Sequence, residues 1–520
     1  MVANKLRMSS VVHSGAVVGL EGRIVEAEAD VLGSGLPNFT LVGLPDTAVK
    51  ESKNRVESAL KNSGFLPPYA HGRVTVNLAP ADLPKAGPLY DLPIALAFLA
   101  VSGQLESSWD DKLFVGELSL SGDLRPVHGV LSLAVAAKRH GMREMYVPMA
   151  NLAEAAVVDG LDVIGVSTLR ELALHLRREK LLSPGLPAFG ELDDQSEEES
   201  VGENDFACIR GQEHAKRALE IAAAGGHNVL LSGPPGSGKT LLARAMATIL
   251  PMLGKEESLE VTTIYSVAGK LPPETSLLRE RPFRSPHHSA SAVALIGGGS
   301  DPRPGEITLA HRGVLFLDEF PEFARSVLEN LRQPLEEGFV TVSRAKQTVA
   351  FPSRFVLVAA MNPCPCGNAG DPERLCTCTP SARDRYARKL SGPLLDRIDL
   401  QVEVPRLKVE KLQTKEAEGE RSRDVRRRVE EARKRQGERF SEEKFSLNAE
   451  LSTKAIENHC PLDDASKGLL GKAISSLRLS PRGYYRLIKT ARTIADIEGA
   501  ESITPAHIAE AIQYRFRVEH

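Results

Sequence analysis

Residues 233–240 read Gly-Pro-Pro-Gly-Ser-Gly-Lys-Thr, and residues 314–319 read Val-Leu-Phe-Leu-Asp-Glu. The first stretch has the spacing G-x-x-x-x-G-K-T, and it sits in the context that spacing needs. It follows the apolar run Asn228-Val-Leu-Leu and opens the helix-forming run Thr240-Leu-Leu-Ala-Arg-Ala-Met. Glycines let backbone N–H groups curl around phosphate oxygens, and the helix N-terminus adds its positive end. Gly233, Pro234, Pro235, Gly236, Ser237, Gly238, Lys239 and Thr240 are therefore expected to cradle the phosphates of ATP. Lys239 would reach the β- and γ-phosphates, and Thr240 would hold Mg²⁺. The second stretch delivers two carboxylates at the carboxyl end of an apolar strand, where ligands bind in open α/β sheets. Asp318 is expected on the metal, and Glu319 as the base that orients and deprotonates the attacking water. Two merely solvated charges would not need four apolar residues to deliver them.

The chain of 520 residues is too long for one ordinary core, so two to four domains are expected. A hydrophobic fraction of 42% and a charged fraction of 26% are those of a soluble globular protein. The net charge of −3 excludes little, because a local basic surface can hide in a neutral total. Residues 1–10 lack an uninterrupted apolar stretch, so no signal peptide is expected. No run approaches the ~20 apolar residues of a membrane span. Six cysteines in such a chain point to a reducing cytoplasm, and to metal or redox roles over disulfides.

The clearest break lies at 183–205, where Ser183-Pro-Gly-Leu-Pro-Ala-Phe-Gly190 leads into a mostly acidic run. Proline, glycine and like charges bury no core, so this is expected to be a flexible linker. Residues 1–182 mix strands and helices, which predicts an α+β domain. Arg73-Val-Thr-Val-Asn-Leu alternates as a half-buried strand, and 46–60 has helical spacing with Asp46 as its cap. Residues 92–99 and 131–137 read as apolar helices. Residues 206–405 are expected to form the α/β nucleotide domain. Residues 406–520 carry long helical patterns, among them 421–439 and a helix at 505–516 with Thr504 before it and Pro505 in its first turn. The fold class is thus multidomain α/β.

Several longer motifs resemble the AAA+ class and one branch of it closely. Ile209-Arg-Gly-Gln-Glu-His214 is similar to the AAA+ segment that contacts adenine. Residues 304–319 resemble the Walker B region of the magnesium-chelatase ATPase subunit. Arg281-Pro-Phe-Arg-Ser-Pro-His-His288, Leu331-Arg-Gln-Pro-Leu-Glu336 and Asn362-Pro-Cys-Pro-Cys-Gly367 resemble bacterial magnesium-chelatase-like proteins of the ComM/YifB type. The resemblance implies that Asn362 is sensor 1, which positions the lytic water at the γ-phosphate. It implies that Arg397, in Leu394-Leu-Asp-Arg-Ile-Asp399, is an arginine finger acting on a neighbouring subunit's ATP. The competing reading of Arg397 is an ion pair with Asp396 or Asp399. Ser480-Pro-Arg-Gly483 resembles the sensor 2 signature of a C-terminal helical lid, with Arg482 favoured and Arg486 the alternative. A finger acting in trans needs a heterologous contact that closes into a ring, and the family implies a hexamer.

Residues 337–353 place two alternating β-branched runs around Arg344-Ala-Lys346, which predicts a hairpin. In helicase-like relatives such a hairpin, with an insert at 283–312, points into the ring's channel. Arg344 and Lys346 would then meet a DNA backbone; a surface hairpin with solvated charges is the competing reading. Cys364-Pro-Cys366 and Cys376-Thr-Cys378 could close a tetrahedral structural Zn²⁺ site, against the alternative of four reduced, unligated thiols. The adjacent His287 and His288 lack a third ligand and are weak evidence for a metal.

Residues 21–145 resemble the family's N-terminal domain, related to the Lon protease domain, of ribosomal S5 domain 2-like fold. The nucleophile position is Leu89 and the lysine position Leu131, so no peptidase activity is expected. The resemblance implies the function of an ATP-driven DNA motor, a branch-migration helicase in natural transformation or recombination. The alternative is a remodelling ATPase that acts on a protein partner without DNA.

Overall fold

Val74, Val76 and Leu78 are fully buried while Arg73 is exposed, so the strand Arg73–Ala79 turns one face to the core as its alternation requires. The helix Thr47–Asn62 begins where the Asp46 carboxylate accepts the Val49 N–H at 2.7 Å. The helix Asp91–Val101 is apolar on every side and is buried on every side. The structure, a computed structural model, describes residues 10–32, 36–106, 109–186, 202–299, 302–343, 348–371, 373–406, 419–443, 445–477 and 479–515.

The described residues fall into two units. The first holds residues up to 186 together with 255–278, and the second holds 202–254 and 279 onward. Residues 255–278, inside the stretch 206–405, cluster with the first unit. The helix Lys255–Val267 packs with the first unit, beside the helix Val130–Arg139, and the Gly129 N–H donates to Ser266 O at 3.2 Å. The greater part of the expected linker, 187–201, lies outside the described residues.

The first unit carries β1 (Ser10–Val18), β2 (Glu21–Leu32), β3 (Asn38–Val42), β4 (Arg73–Ala79), β5 (Lys112–Phe114), β6 (Glu117–Leu118), β7 (Leu124–Arg125), β8 (Glu144–Pro148) and β9 (Asp162–Val166). Seven of these form one mixed sheet in the order β3-β4-β2-β1-β5-β8-β9, and β6 pairs with β7. Leu89 and Leu131 both lie in this unit's hydrophobic core.

The second unit carries β10 (Val229–Ser232), β11 (Phe283–Arg284), β12 (Gly297–Gly298), β13 (Arg303–Pro304), β14 (Val314–Leu317), β15 (Phe339–Ser343), β16 (Thr348–Pro352), β17 (Val356–Met361) and β18 (Leu400–Glu403). Five of them form a sheet in the order β11-β14-β17-β10-β18, parallel at every pairing. Strands β10, β14 and β17 are almost wholly apolar, as strands covered on both faces must be. Strands β15 and β16 form the expected antiparallel hairpin, while Arg344 and Lys346 at its turn lie outside the described residues. The C-terminal part is helical, with helices Ser422–Arg439, Thr453–His459, Asp464–Leu477, Pro481–Glu498 and Pro505–Gln513. No helix among the described residues is long and apolar enough to cross a membrane.

Candidate ATP site

The sheet order sets the site. Strand β17 lies between β10, which leads into the phosphate loop, and β14, which leads into the two carboxylates. Parallel register brings the three carboxyl ends together, so Asn362, Lys239 and Asp318 meet although far apart in sequence.

The loop at 233–240 is built around backbone that only glycine tolerates. Gly236 and Gly238 have φ of +78° and +94°, and a Cβ at Gly233 would lie 2.1 Å from Val404 O. Lys239 begins the helix Lys239–Ile249 and is nearly buried. Its Nζ donates to Gly233 O at 2.6 Å, to Pro234 O at 2.9 Å and to Asn362 Oδ1 at 3.2 Å. Burial pushes its ammonium below the ordinary lysine range, and the Asp318 charge partly offsets this. The Thr240 hydroxyl donates to Asp318 Oδ2 at 3.0 Å, so the two groups expected on Mg²⁺ face each other. Ser237 Oγ, within the loop, is buried and has no hydrogen-bond partner among the described residues. A cradle of left-handed glycines, a buried cation that can exchange carbonyls for phosphate oxygens, and an orphaned hydroxyl suit a triphosphate.

Glu319 adopts φ of +52°, a left-handed conformation that a non-glycine residue holds only at a cost. Its Oε2 lies 2.8 Å from His288 Nδ1. His288 in turn packs tilted at 34° against His287 and meets Phe323 edge-on. Sequence reading set these histidines aside as a poor metal pair; the structure gives His288 a different place, on the carboxylate expected to be the base. The signal available beforehand was only that His288 falls in the segment before the carboxylate strand. Gln212 lies in the segment 209–214 expected at adenine; its Nε2 donates to Pro405 O at 2.7 Å and reaches Ser237 O at 3.4 Å, tying that segment to the loop. His214, in that same segment, stacks on Tyr514.

The arginines lie in separate clusters. Arg397 is buried, its guanidinium held by the Glu336 carboxylate and by Pro393 O, with neither Asp396 nor Asp399 as its partner. Burial lowers its pKa and Glu336 partly restores it. Arg482 is exposed and lies 3.6 Å from the same Glu336. Arg486 is bound to Asp399, a buried carboxylate that also accepts the Asn228 N–H at 2.9 Å. Of the two arginines, Arg486 is engaged by a buried carboxylate and Arg482 is exposed.

The four cysteines of the loop after β17 converge. Their sulfurs all lie within 4.8 Å of one another. No ion pair or hydrogen bond among the described residues joins them to the arginine clusters.

Residues 27–151, 205–412 and 419–515 match three families, described respectively as the subunit ChlI of Mg-chelatase, magnesium chelatase subunit ChlI, and the C-terminal part of that subunit. The chain is 46% identical over 515 residues to the competence protein ComM of Haemophilus influenzae, covering 98% of each chain. It is 44% identical over 511 residues to the uncharacterized protein YifB of Escherichia coli, covering 97% of each. It is 27% identical over 349 residues to the magnesium-chelatase 38 kDa subunit of Rhodobacter capsulatus, covering 60% of this chain and 87% of that one. With a phosphate loop, two carboxylates and an amide gathered at one edge of a parallel sheet, and with relatives that match from end to end, the chain belongs to the ComM/YifB group of magnesium-chelatase-like AAA+ proteins.

Proposed function

We propose that this protein hydrolyses ATP at the Lys239 site and uses the energy to move DNA strands, as a branch-migration motor in competence or recombination. The observation that carries the ATPase reading is the meeting of Lys239, Thr240, Asp318 and Asn362 at adjoining strand ends, with Glu319 directly after Asp318. Lys239 binds the phosphates, Thr240 and Asp318 hold Mg²⁺, and Asn362 and Glu319 orient and deprotonate water. Bound Mg²⁺ would supply charge neutralisation on the phosphates. The first unit is read as a Lon-like domain without protease chemistry, and the C-terminal helices as a lid carrying Arg482. Arg397 would leave Glu336 to reach a neighbour's nucleotide in a hexameric ring. The DNA reading is supported by near-full-length similarity to a protein named for competence, and by the paired strands β15 and β16, between which the sequence carries Arg344 and Lys346. The four cysteines suit a structural Zn²⁺, with no open position for chemistry.

The test is ATP turnover with and without forked DNA. The reading expects stimulation of fivefold or more, with binding that weakens steeply as salt rises. Equal rates with and without DNA, and no DNA binding, would leave a remodelling ATPase acting on a protein partner, the reading favoured by the chelatase similarity.

A further inference from the structure

The four cysteines sit against the catalytic loop. The chain runs from Asn362 straight into Pro363-Cys364-Pro-Cys366-Gly367. The Gly367 N–H closes a turn onto Cys364 O at 2.9 Å, and Gly367 takes φ of +81°. A Cβ built there would lie 2.6 Å from Pro235 Cδ and 3.9 Å from Asn362 Cγ. A side chain at Gly367 would thus collide with Pro235 of the phosphate loop, and Asn362 lies just beyond the same point.

The sulfurs have the spacing of a metal site. Cys364 lies 3.4 Å from Cys366 and 3.6 Å from Cys376, and Cys366 lies 3.5 Å from Cys376. Four sulfurs at about 2.3 Å from a tetrahedral ion would stand about 3.8 Å apart, whereas a disulfide needs about 2.05 Å. Two backbone N–H groups aim at sulfur: Ala369 N–H at Cys364, 3.3 Å, and Cys366 N–H at Cys378, 3.4 Å. Such donors stabilise thiolates. The far side of the loop is tied down by Arg406, which lies 3.3 Å from Asp371 and 3.4 Å from Glu373. Among the described residues of the loop, Cys364 is the one buried apolar side chain, so these residues alone make little core.

We propose that Cys364, Cys366, Cys376 and Cys378 bind one Zn²⁺, and that the metal-closed loop braces the ATP site by pinning Gly367 on Pro235 and Asn362 beside Lys239. The bracing half of this rests on the ATPase reading; the metal half does not. The cysteines are then positioning residues, and the ion takes no part in the reaction.

The test measures zinc per chain and ATP turnover in protein purified without chelator. Wild type is expected to carry one zinc per chain. The double variant Cys376→Ser/Cys378→Ser is expected to carry less than a tenth of that. Its kcat should fall at least tenfold while nucleotide affinity stays within about threefold. Gly367→Ala keeps all four ligands and guards against a simple folding failure: it should retain one zinc per chain yet lose at least tenfold in kcat/KM. Asn362→Ala should also retain zinc and lose kcat. Wild-type protein without zinc, grown with zinc in the medium, would overturn the metal site. A zinc-free variant or a Gly367→Ala protein with wild-type turnover would overturn the brace. Full zinc in a wild-type protein that hydrolyses no ATP would instead sink the ATPase reading and leave the metal site standing.

Discussion

At the scale of single residues, the decisive contact is the one between Glu319 and His288. The His288 imidazole engages one oxygen of the Glu319 carboxylate at 2.8 Å and leaves the other open among the described residues. If Glu319 is the base, as proposed, this contact competes with the attacking water for it. His288→Ala is therefore expected to raise ATP turnover measured without DNA by threefold or more; an unchanged or lower rate would show that the contact restrains nothing. Glu319→Gln should retain nucleotide binding and lose turnover by about 10²–10⁴, read as nucleotide affinity against phosphate release. The phosphate loop, Asp318, Glu319 and Asn362 were legible in the sequence because each sits at the end of a contiguous apolar strand. His288 was not, because its role depends on a left-handed turn at Glu319 and on packing that no local pattern records. Arg397 shows the same limit: the reading that competed with the finger paired it with its near neighbours Asp396 or Asp399, and the structure pairs it with distant Glu336.

At the scale of elements, helix caps and strand alternation were readable because they are local. Asp46 and the β4 pattern both stand where the sequence put them. The order of the parallel sheet and the assignment of 255–278 to the first unit were not readable, since both are set by contacts between distant segments. One such contact has a measurable consequence. His227, just before β10, is fully buried and bonds Thr493 of the helix Pro481–Glu498 through Nε2 at 2.7 Å. Burial pushes its pKa down to about 4, against the opposing pull of Asp399, with Lys489, Arg486 and Arg515 also lowering it. Its folded pKa lies below the unfolded value of about 6.5, so the unfolded chain takes up a proton that the folded chain refuses. No penalty exists above pH 6.5; below it, stability falls as pH falls, until the folded pKa is reached. Between pH 6.5 and 5 the loss from this residue is about 2 kcal/mol. Denaturant melts at the two pH values should show a smaller drop for His227→Gln than for wild type. Equal drops would mean that His227 is accessible to protons in the folded state.

At the scale of the whole molecule, the account requires that hydrolysis be shared between subunits. Arg397 and Arg482 gather at Glu336 and join no hydrogen bond or ion pair with Lys239, Asp318 or Glu319 among the described residues. If Arg397 serves a neighbour, then Arg397→Ala and Glu319→Gln proteins, each inactive alone, should recover turnover when mixed. Some subunit boundaries in the mixture would join an intact Glu319 to an intact Arg397. No recovery on mixing would place the finger elsewhere.

The proposed motor would spend ATP on moving DNA strands. Its most direct test is a branch-migration assay on a labelled three-strand junction, run with wild type and with Lys239→Ala. The account predicts strand release by wild type only when ATP is present, and none by Lys239→Ala. A wild-type preparation that hydrolyses ATP on this junction and releases no strand would contradict it.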